Sequence, residues 1–160
     1  MKSESSLALP DEAATQRLGA AIAAGIGPGR VLHLVGELGT GKTTLVRGLL
    51  RELGHAGRVK SPTYALVELY VVSSLNLYHF DFYRFKDRSE WQQSGFREYF
   101  NPASACVVEW PERAGGLLPQ PDLEIRLDLE SPGRRALLSA HTPSGEAWRA
   151  LALRRFSSAA

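Results

Sequence analysis

The segment GELGTGKT at residues 36–43 constrains the fold more than any other feature, because it matches the pattern GxxxxGK[ST] at every fixed position. The apolar run VLHLV at 31–35 precedes it, and KTTLVRGLLREL at 42–53 follows with apolar residues at helical spacing. A strand, a glycine-rich loop and a helix in this order form a phosphate-binding loop, or P-loop. The sequence therefore predicts an α/β protein built around a nucleotide site.

The P-loop motif also predicts which groups meet the nucleotide. Its glycines let successive backbone N–H groups point at phosphate oxygens, and the positive end of the following helix adds to the attraction. Lys42 is suited to reach the outer phosphates, and the Thr43 hydroxyl is suited to Mg²⁺. The predicted nucleotide-binding residues are Gly36, Glu37, Leu38, Gly39, Thr40, Gly41, Lys42, Thr43 and Thr44.

Two acidic residues that follow apolar strands are candidates for the rest of the metal site. Glu109 ends the run CVVE, and Asp81 lies in LYHFDFYRF. P-loop proteins usually hold the nucleotide's cation through the loop hydroxyl and an acid at the tip of a neighbouring strand. We therefore predict Thr43, Asp81 and Glu109 as metal-binding residues, and Lys42, Asp81 and Glu109 as catalytic residues. Either acid could instead lie at the sheet rim, satisfied by backbone amides or an arginine.

The remaining pattern predicts a single domain of class α/β with a P-loop NTPase-like fold. Its central mixed sheet has a parallel core and antiparallel C-terminal strands, and helices flank both faces. The domain is expected to span 10–156, with flexible ends at 1–9 and 157–160. Helices are predicted at 10–24, 42–53 and 145–156, with a short one within 89–100. Strands are predicted at 31–35, 65–70, 75–82, 106–109, 123–130 and 134–142.

Composition argues against several other classes of protein. The net charge of +2 is too small to indicate nucleic-acid binding, because acidic and basic residues share the same segments. The one cysteine, Cys106, cannot form an internal disulfide, and no Cys/His cluster has zinc spacing. No apolar run approaches the roughly 18 residues that a membrane-spanning helix needs. We therefore expect a cytoplasmic protein that does not enter a membrane.

Four further motifs follow the P-loop in a fixed order: SPTY at 61–64, LYHFDFYR at 77–84, GFREY at 95–99 and EWPER at 109–113. Together with the P-loop they resemble the TsaE family, formerly called YjeE, over nearly the whole chain. This family consists of bacterial P-loop ATPases needed to make threonylcarbamoyladenosine in tRNA. The resemblance implies a small ATPase that uses ATP and Mg²⁺, associates with the TsaD and TsaB proteins, and concerns tRNA only indirectly.

The resemblance also assigns roles to individual positions. Ser61 and Thr63 fall in the stretch similar to the family's switch-like segment, which senses the terminal phosphate. Without the resemblance, the residues around Pro62 predict only a turn. Asp81 and Glu109 match the family's two important acids. Glu37 stands where the family more often has an aspartate, which is one methylene shorter, so the resemblance assigns no role to Glu37 in positioning water or metal.

Two side chains near these motifs admit more than one interpretation. Trp110 follows a buried strand, which favours core packing, but its place beside Glu109 also allows contact with the nucleotide or with a partner. Arg84 could neutralise phosphate charge or pair with Asp87 at the surface. We assign no chemistry to His79.

The residues leave two other functions open. A small-molecule kinase would need an acceptor pocket and an arginine-bearing lid, and no clear lid is evident. A GTP-binding switch would usually carry an NKxD-type segment, which the sequence lacks. An ATPase explains every motif, and the absence of an evident arginine finger predicts slow turnover by the chain alone.

Overall fold

The structure is a computed structural model that describes residues 3–159. Four helices and seven strands make up this part of the chain, joined by two short 3₁₀ helices at Phe96–Tyr99 and Pro111–Leu117. The helices are α1 Glu12–Ala23, α2 Lys42–Glu52, α3 Arg88–Ser94 and α4 Pro143–Ser158. The strands are β1 Ser3–Leu9, β2 Val31–Val35, β3 Val67–Val72, β4 Leu75–Asp81, β5 Ser104–Glu109, β6 Leu123–Glu130 and β7 Gly133–Ala140.

All seven strands of the described region form one mixed sheet in the order β1-β7-β6-β2-β5-β4-β3. Strand β2 lies parallel to both β5 and β6, and β4 lies parallel to β5. The pairs β6/β7, β1/β7 and β3/β4 are antiparallel. The predicted sheet with a parallel core is confirmed, and its parallel strands bring the carboxyl ends of β2, β4 and β5 to one edge.

Each face of the sheet carries its own apolar core. On one face, α1, α2 and α4 cover residues such as Leu34 and Ile125, and Trp148 of α4 donates a hydrogen bond from Nε1 to the Ile22 carbonyl at 2.8 Å. On the other face, α3 and the 3₁₀ helices enclose a largely aromatic cluster that includes Phe80 and Phe82. Most of the aromatic residues in the middle of the chain are therefore core residues.

The two ends of the chain differ from the expectation that 1–9 and 157–160 are flexible. Residues 3–9 form β1, which pairs with β7 along its whole length, and Leu9 is fully buried. Without β1, strand β7 would expose an unpaired row of N–H and C=O groups. Residues 157–158 continue α4. Residues 1, 2 and 160 lie outside the described region, so the prediction for them is not addressed.

Within residues 3–159, no helix is both long enough and apolar enough to cross a lipid bilayer.

A buried histidine on β2 predicts acid sensitivity of the fold. His33 is 8% exposed, and no described residue bonds its Nε2. Burial, followed by repulsion from His141, lowers the pKa of His33 to about 4. The unfolded chain, with an ordinary histidine pKa near 6.5, therefore binds an extra proton between about pH 6.5 and pH 4. Stability should fall as the pH decreases through that window, by about 3 kcal/mol in all.

Urea unfolding between pH 7 and pH 4 tests this prediction, with the His33→Gln variant as control. The variant lacks the titrating group, so the free energy of unfolding of the wild type should fall more steeply than that of the variant. Two curves of equal slope would assign the acid sensitivity to other groups.

Candidate functional site

A cleft of about 620 Å³ opens at the sheet edge where β2, β4 and β5 end. Its volume lies within the usual range for small-molecule sites. The cleft brings together most of the predicted site residues: Leu38, Gly39, Thr40, Gly41, Lys42, Thr43, Thr44, Ser61, Thr63, Asp81, Arg84, Glu109 and Trp110. Gly36 and Glu37 are absent from this lining.

The P-loop backbone adopts conformations that favour glycine. Gly39 has φ 79° and Gly41 has φ 104°, both in the left-handed region. A Cβ atom on Gly36 would lie 2.5 Å from the Leu127 carbonyl oxygen, so a side chain has no room there. Gly41 precedes α2 without a side-chain cap. The first N–H groups of α2 therefore have no partner inside the helix and remain available to an anion.

Lys42 is folded back onto its own loop. Its side chain donates hydrogen bonds from Nζ to the carbonyls of Gly36 and Glu37, the latter at 3.0 Å. Nζ also lies 4.4 Å from the ring centroid of Trp110. Burial lowers the pKa of Lys42, while nearby acids, Glu109 first among them, act in the opposite direction. An ammonium group has three N–H donors, so one of them remains beyond the two bonds to loop carbonyls.

Glu109 lies at the centre of a hydrogen-bonded group. The Thr43 hydroxyl is 3.2 Å from Oε1 and 3.1 Å from Oε2 of Glu109, and His79 Nε2 is 2.6 Å from Oε2. Glu109 is buried at the tip of β5, in register with Asp81 at the tip of β4. The loop hydroxyl and the acid predicted to share a cation are thus in direct contact.

Asp81 connects β4 to the segment that contains Ser61. Its Oδ2 accepts a hydrogen bond from the Ser61 hydroxyl, and its Oδ1 accepts one from the Tyr83 backbone N–H at 2.8 Å. The backbone N–H of Asp81 donates to the Leu66 carbonyl at 2.9 Å. A shift of Asp81 or of Ser61 therefore moves the other, and Thr63 lines the cleft beside them.

Trp110 belongs to the aromatic core and also lines the cleft. It is 7% exposed and packs against Tyr83, with 4.9 Å between the ring centroids. Its φ of 57° is unusual for a residue with a large side chain. This backbone conformation ends β5 and places the indole between the aromatic core and Lys42.

Other predicted residues lie at the margin of the site. Arg84 is exposed and holds its guanidinium 4.8 Å from the Tyr64 ring centroid. Asp87 instead caps α3 by accepting from the Glu90 N–H at 3.1 Å. The Glu37 side chain is exposed, and the contacts this residue makes in the loop come from its carbonyl.

His79 and Arg134 are two of the residues at the site that were not predicted. His79 bonds Glu109, and its position two residues before Asp81 on one strand face is the signal that could have indicated it. Arg134 donates to the carbonyls of Gly39 at 2.9 Å and Thr40 at 3.2 Å. No local pattern connects it to the P-loop, because only the sheet brings β7 there.

The donor set suits a magnesium ion bound to phosphate. The Thr43 hydroxyl and the carboxylates of Asp81 and Glu109 are hard oxygen ligands of the kind that Mg²⁺ prefers. Among residues 3–159, no cluster of three or more His, Cys, Asp or Glu side chains could hold a metal alone. Mg²⁺ is commonly bound through one or two carboxylates together with substrate phosphates, which this arrangement fits.

Comparisons with known proteins agree with the resemblance seen in the motifs. The model of the family described as "Threonylcarbamoyl adenosine biosynthesis protein TsaE" matches residues 9–137. The protein named tRNA threonylcarbamoyladenosine biosynthesis protein TsaE from Haemophilus influenzae is 46% identical over 116 residues, 72% of this chain and 73% of its own. Its namesake from Rickettsia felis is 33% identical over 141 residues, 88% of this chain and 81% of its own.

A solved structure shares the fold over nearly its whole length. The crystal structure of YdiB from Bacillus subtilis superimposes with a TM-score of 0.79 at 28% sequence identity. The alignment covers 96% of this chain and 95% of that one.

Proposed function

The chain belongs to the TsaE family of tRNA threonylcarbamoyladenosine biosynthesis, and from this premise we propose that it is a Mg²⁺-dependent ATPase that assists TsaD and TsaB. The observation that carries the proposal is the contact between Thr43 of the P-loop and Glu109 at the tip of β5. This contact joins Thr43, whose hydroxyl is suited to bind the cation, to Glu109, whose carboxylate is suited to assist hydrolysis. We also propose that the protein is located in the cytoplasm.

The proposed binding step uses the P-loop and Lys42. The free N–H groups at the start of α2 donate hydrogen bonds to the phosphates, and Lys42 exchanges its two carbonyl partners for phosphate oxygens. The exchange keeps the ammonium hydrogen-bonded in both states, since it is largely buried and would be costly to leave unpaired. We assign nucleotide contacts to the loop residues that line the cleft, 38–44.

The proposed hydrolytic step uses the two acids. When bound, Mg²⁺ would neutralise charge on the phosphates, held by Thr43 with Glu109 or Asp81 as further ligands. Glu109, released from the Thr43 hydroxyl, orients the attacking water through its free oxygen. Asp81 holds Ser61 in place, so that the switch-like residues Ser61 and Thr63 reach the terminal phosphate from the opposite wall.

The arginines of the cleft explain why we expect slow turnover by the chain alone. Within the described lining, Arg84 and Arg134 supply the guanidinium groups. Arg84 lies over Tyr64, and Arg134 donates to P-loop carbonyls, so each would have to leave its present partner to stabilise charge on a transferred phosphate. Binding to TsaD and TsaB would order the site or supply the missing cation, and tRNA would be affected through those partners.

Measuring phosphate release with and without TsaB and TsaD tests the proposal. We expect slow release of free phosphate from ATP by the chain alone and faster release with the partners. A rate unchanged by the partners would contradict the assisting role. Appearance of a phosphorylated metabolite instead of free phosphate would indicate a kinase. Hydrolysis of GTP at the same rate as ATP would favour the GTP-binding switch.

A further inference from the structure

Behind Glu109 lies a histidine to which the proposed mechanism gives no role. His79 is fully buried, and its Nε2 lies 2.6 Å from Glu109 Oε2. We propose that His79 is a positioning residue whose single hydrogen bond fixes the orientation of the Glu109 carboxylate. This inference rests on the proposed function, because it matters only if Glu109 acts on a bound nucleotide.

The parallel register of β4 and β5 creates the contact. Asp81 is paired with Glu109, so His79, two residues earlier on β4, projects from the same face of the sheet as both acids. The side chains of His79 and Glu109 are 0% and 3% exposed. The bond therefore lies in a region from which water is largely excluded, where a hydrogen bond to a carboxylate is strong.

Among residues 3–159, Glu109 is the sole hydrogen-bond partner of the imidazole, because no described residue bonds its Nδ1. An ionised carboxylate can only accept, which makes Nε2 the donor of this hydrogen bond. A buried polar ring whose one bond points at a candidate catalytic acid is better explained by that acid than by packing, for which an apolar residue would suffice.

Cation binding is the event that makes this bond necessary. In the structure, Glu109 accepts from two side chains, the Thr43 hydroxyl and His79. The Thr43 hydroxyl is the group we assign to Mg²⁺, and a hydroxyl that turned to the cation would no longer donate to the carboxylate. His79 is then the remaining donor to Glu109, whose flexible side chain would otherwise sample several rotamers. Catalytic groups need to be held within about 0.5 Å of the working geometry.

The location of His79 separates positioning from catalysis. His79 is absent from the lining of the cleft, whereas Glu109 and Asp81 both belong to it. With no exposed surface, the imidazole contacts neither the nucleotide nor the water, and acts only through Glu109.

The variants His79→Gln and His79→Asn provide a matched test. Both side chains end in an amide, but only the Gln amide extends as many bonds from Cβ as Nε2 of histidine, while the Asn amide reaches only the place of Nδ1. We expect His79→Gln to keep kcat within about threefold of the wild type. We expect His79→Asn to lower kcat by about 10- to 100-fold with little change in the KM for ATP, as is typical for loss of a residue that orients a metal-site ligand.

A second measurement does not depend on turnover. Mn²⁺ titration of the ADP complex, followed by electron paramagnetic resonance, should show affinity about tenfold lower in His79→Asn than in His79→Gln. Thermal unfolding identifies the temperature up to which both variants remain folded, and all assays are made below that temperature.

Equal losses in the two variants, or no loss in either, would overturn the positioning role. So would a loss confined to the KM for ATP. If the wild-type chain with its partners hydrolyses no ATP, the proposed ATPase function fails instead. The Mn²⁺ comparison still distinguishes the two variants in that case.

Discussion

Replacing Lys42 by alanine is expected to weaken binding of ATP by about 100-fold or more, because charge-assisted hydrogen bonds to the outer phosphates are lost. In the structure, the same ammonium donates to the carbonyls of Gly36 and Glu37, so the variant also frees two loop carbonyls. Those carbonyls repel phosphate. Calorimetric titration with a non-hydrolysable ATP analogue and Mg²⁺ measures the affinity directly.

Lys42→Arg is the matched control for this prediction. It keeps the charge but not the compact ammonium that fits between the loop carbonyls and Trp110, so binding should be intermediate. Unchanged affinity in Lys42→Ala would contradict the assignment of the P-loop to the phosphates. Circular dichroism of both variants should match that of the wild type, because Lys42 packs at the cleft and not in either apolar core.

Replacing Glu109 by alanine should leave binding largely intact while turnover falls by at least about 100-fold. The phosphates are held by the loop and Lys42, whereas the water is oriented by the carboxylate. Rapid-quench measurement of phosphate release under saturating ATP separates the two effects. The titration used for Lys42→Ala supplies the binding constant.

Glu109→Gln distinguishes charge from shape at this position. The amide keeps the length of the side chain and a carbonyl that can accept from His79 or Thr43, but it cannot act as an ionised base. We expect it to turn over as poorly as Glu109→Ala. Full activity in either variant would require the hydrolytic role to be assigned elsewhere, with Asp81 the next candidate.

The features predicted correctly from sequence share a local cause. The P-loop is continuous in sequence, and the tips of parallel strands meet at one edge whatever the details of packing. Glu109 could therefore be placed beside Thr43, and Asp81 beside Glu109, from the apolar runs that precede them. The close contact between Glu109 and Thr43 follows from that rule.

The features that were missed depend on contacts between distant segments. Strand β1 is rich in serine and pairs with β7, more than 120 residues later, so neither composition nor a turn indicates it. Arg134 approaches the P-loop only because β7 joins the sheet. The fold-back of Lys42 onto loop carbonyls also has no sequence signal, since the motif is the same with and without a bound phosphate.

The proposed function requires that the cleft beside Glu109 binds ATP together with Mg²⁺. Calorimetric titration of the full chain with a non-hydrolysable ATP analogue, in Mg²⁺ and then in excess chelator, tests it most directly. We expect saturable binding of the ATP analogue at one site. Its affinity should be lower without the cation, and the affinity for the corresponding GTP analogue should be lower again. Absence of binding, both for the chain alone and in the presence of TsaB and TsaD, would contradict it.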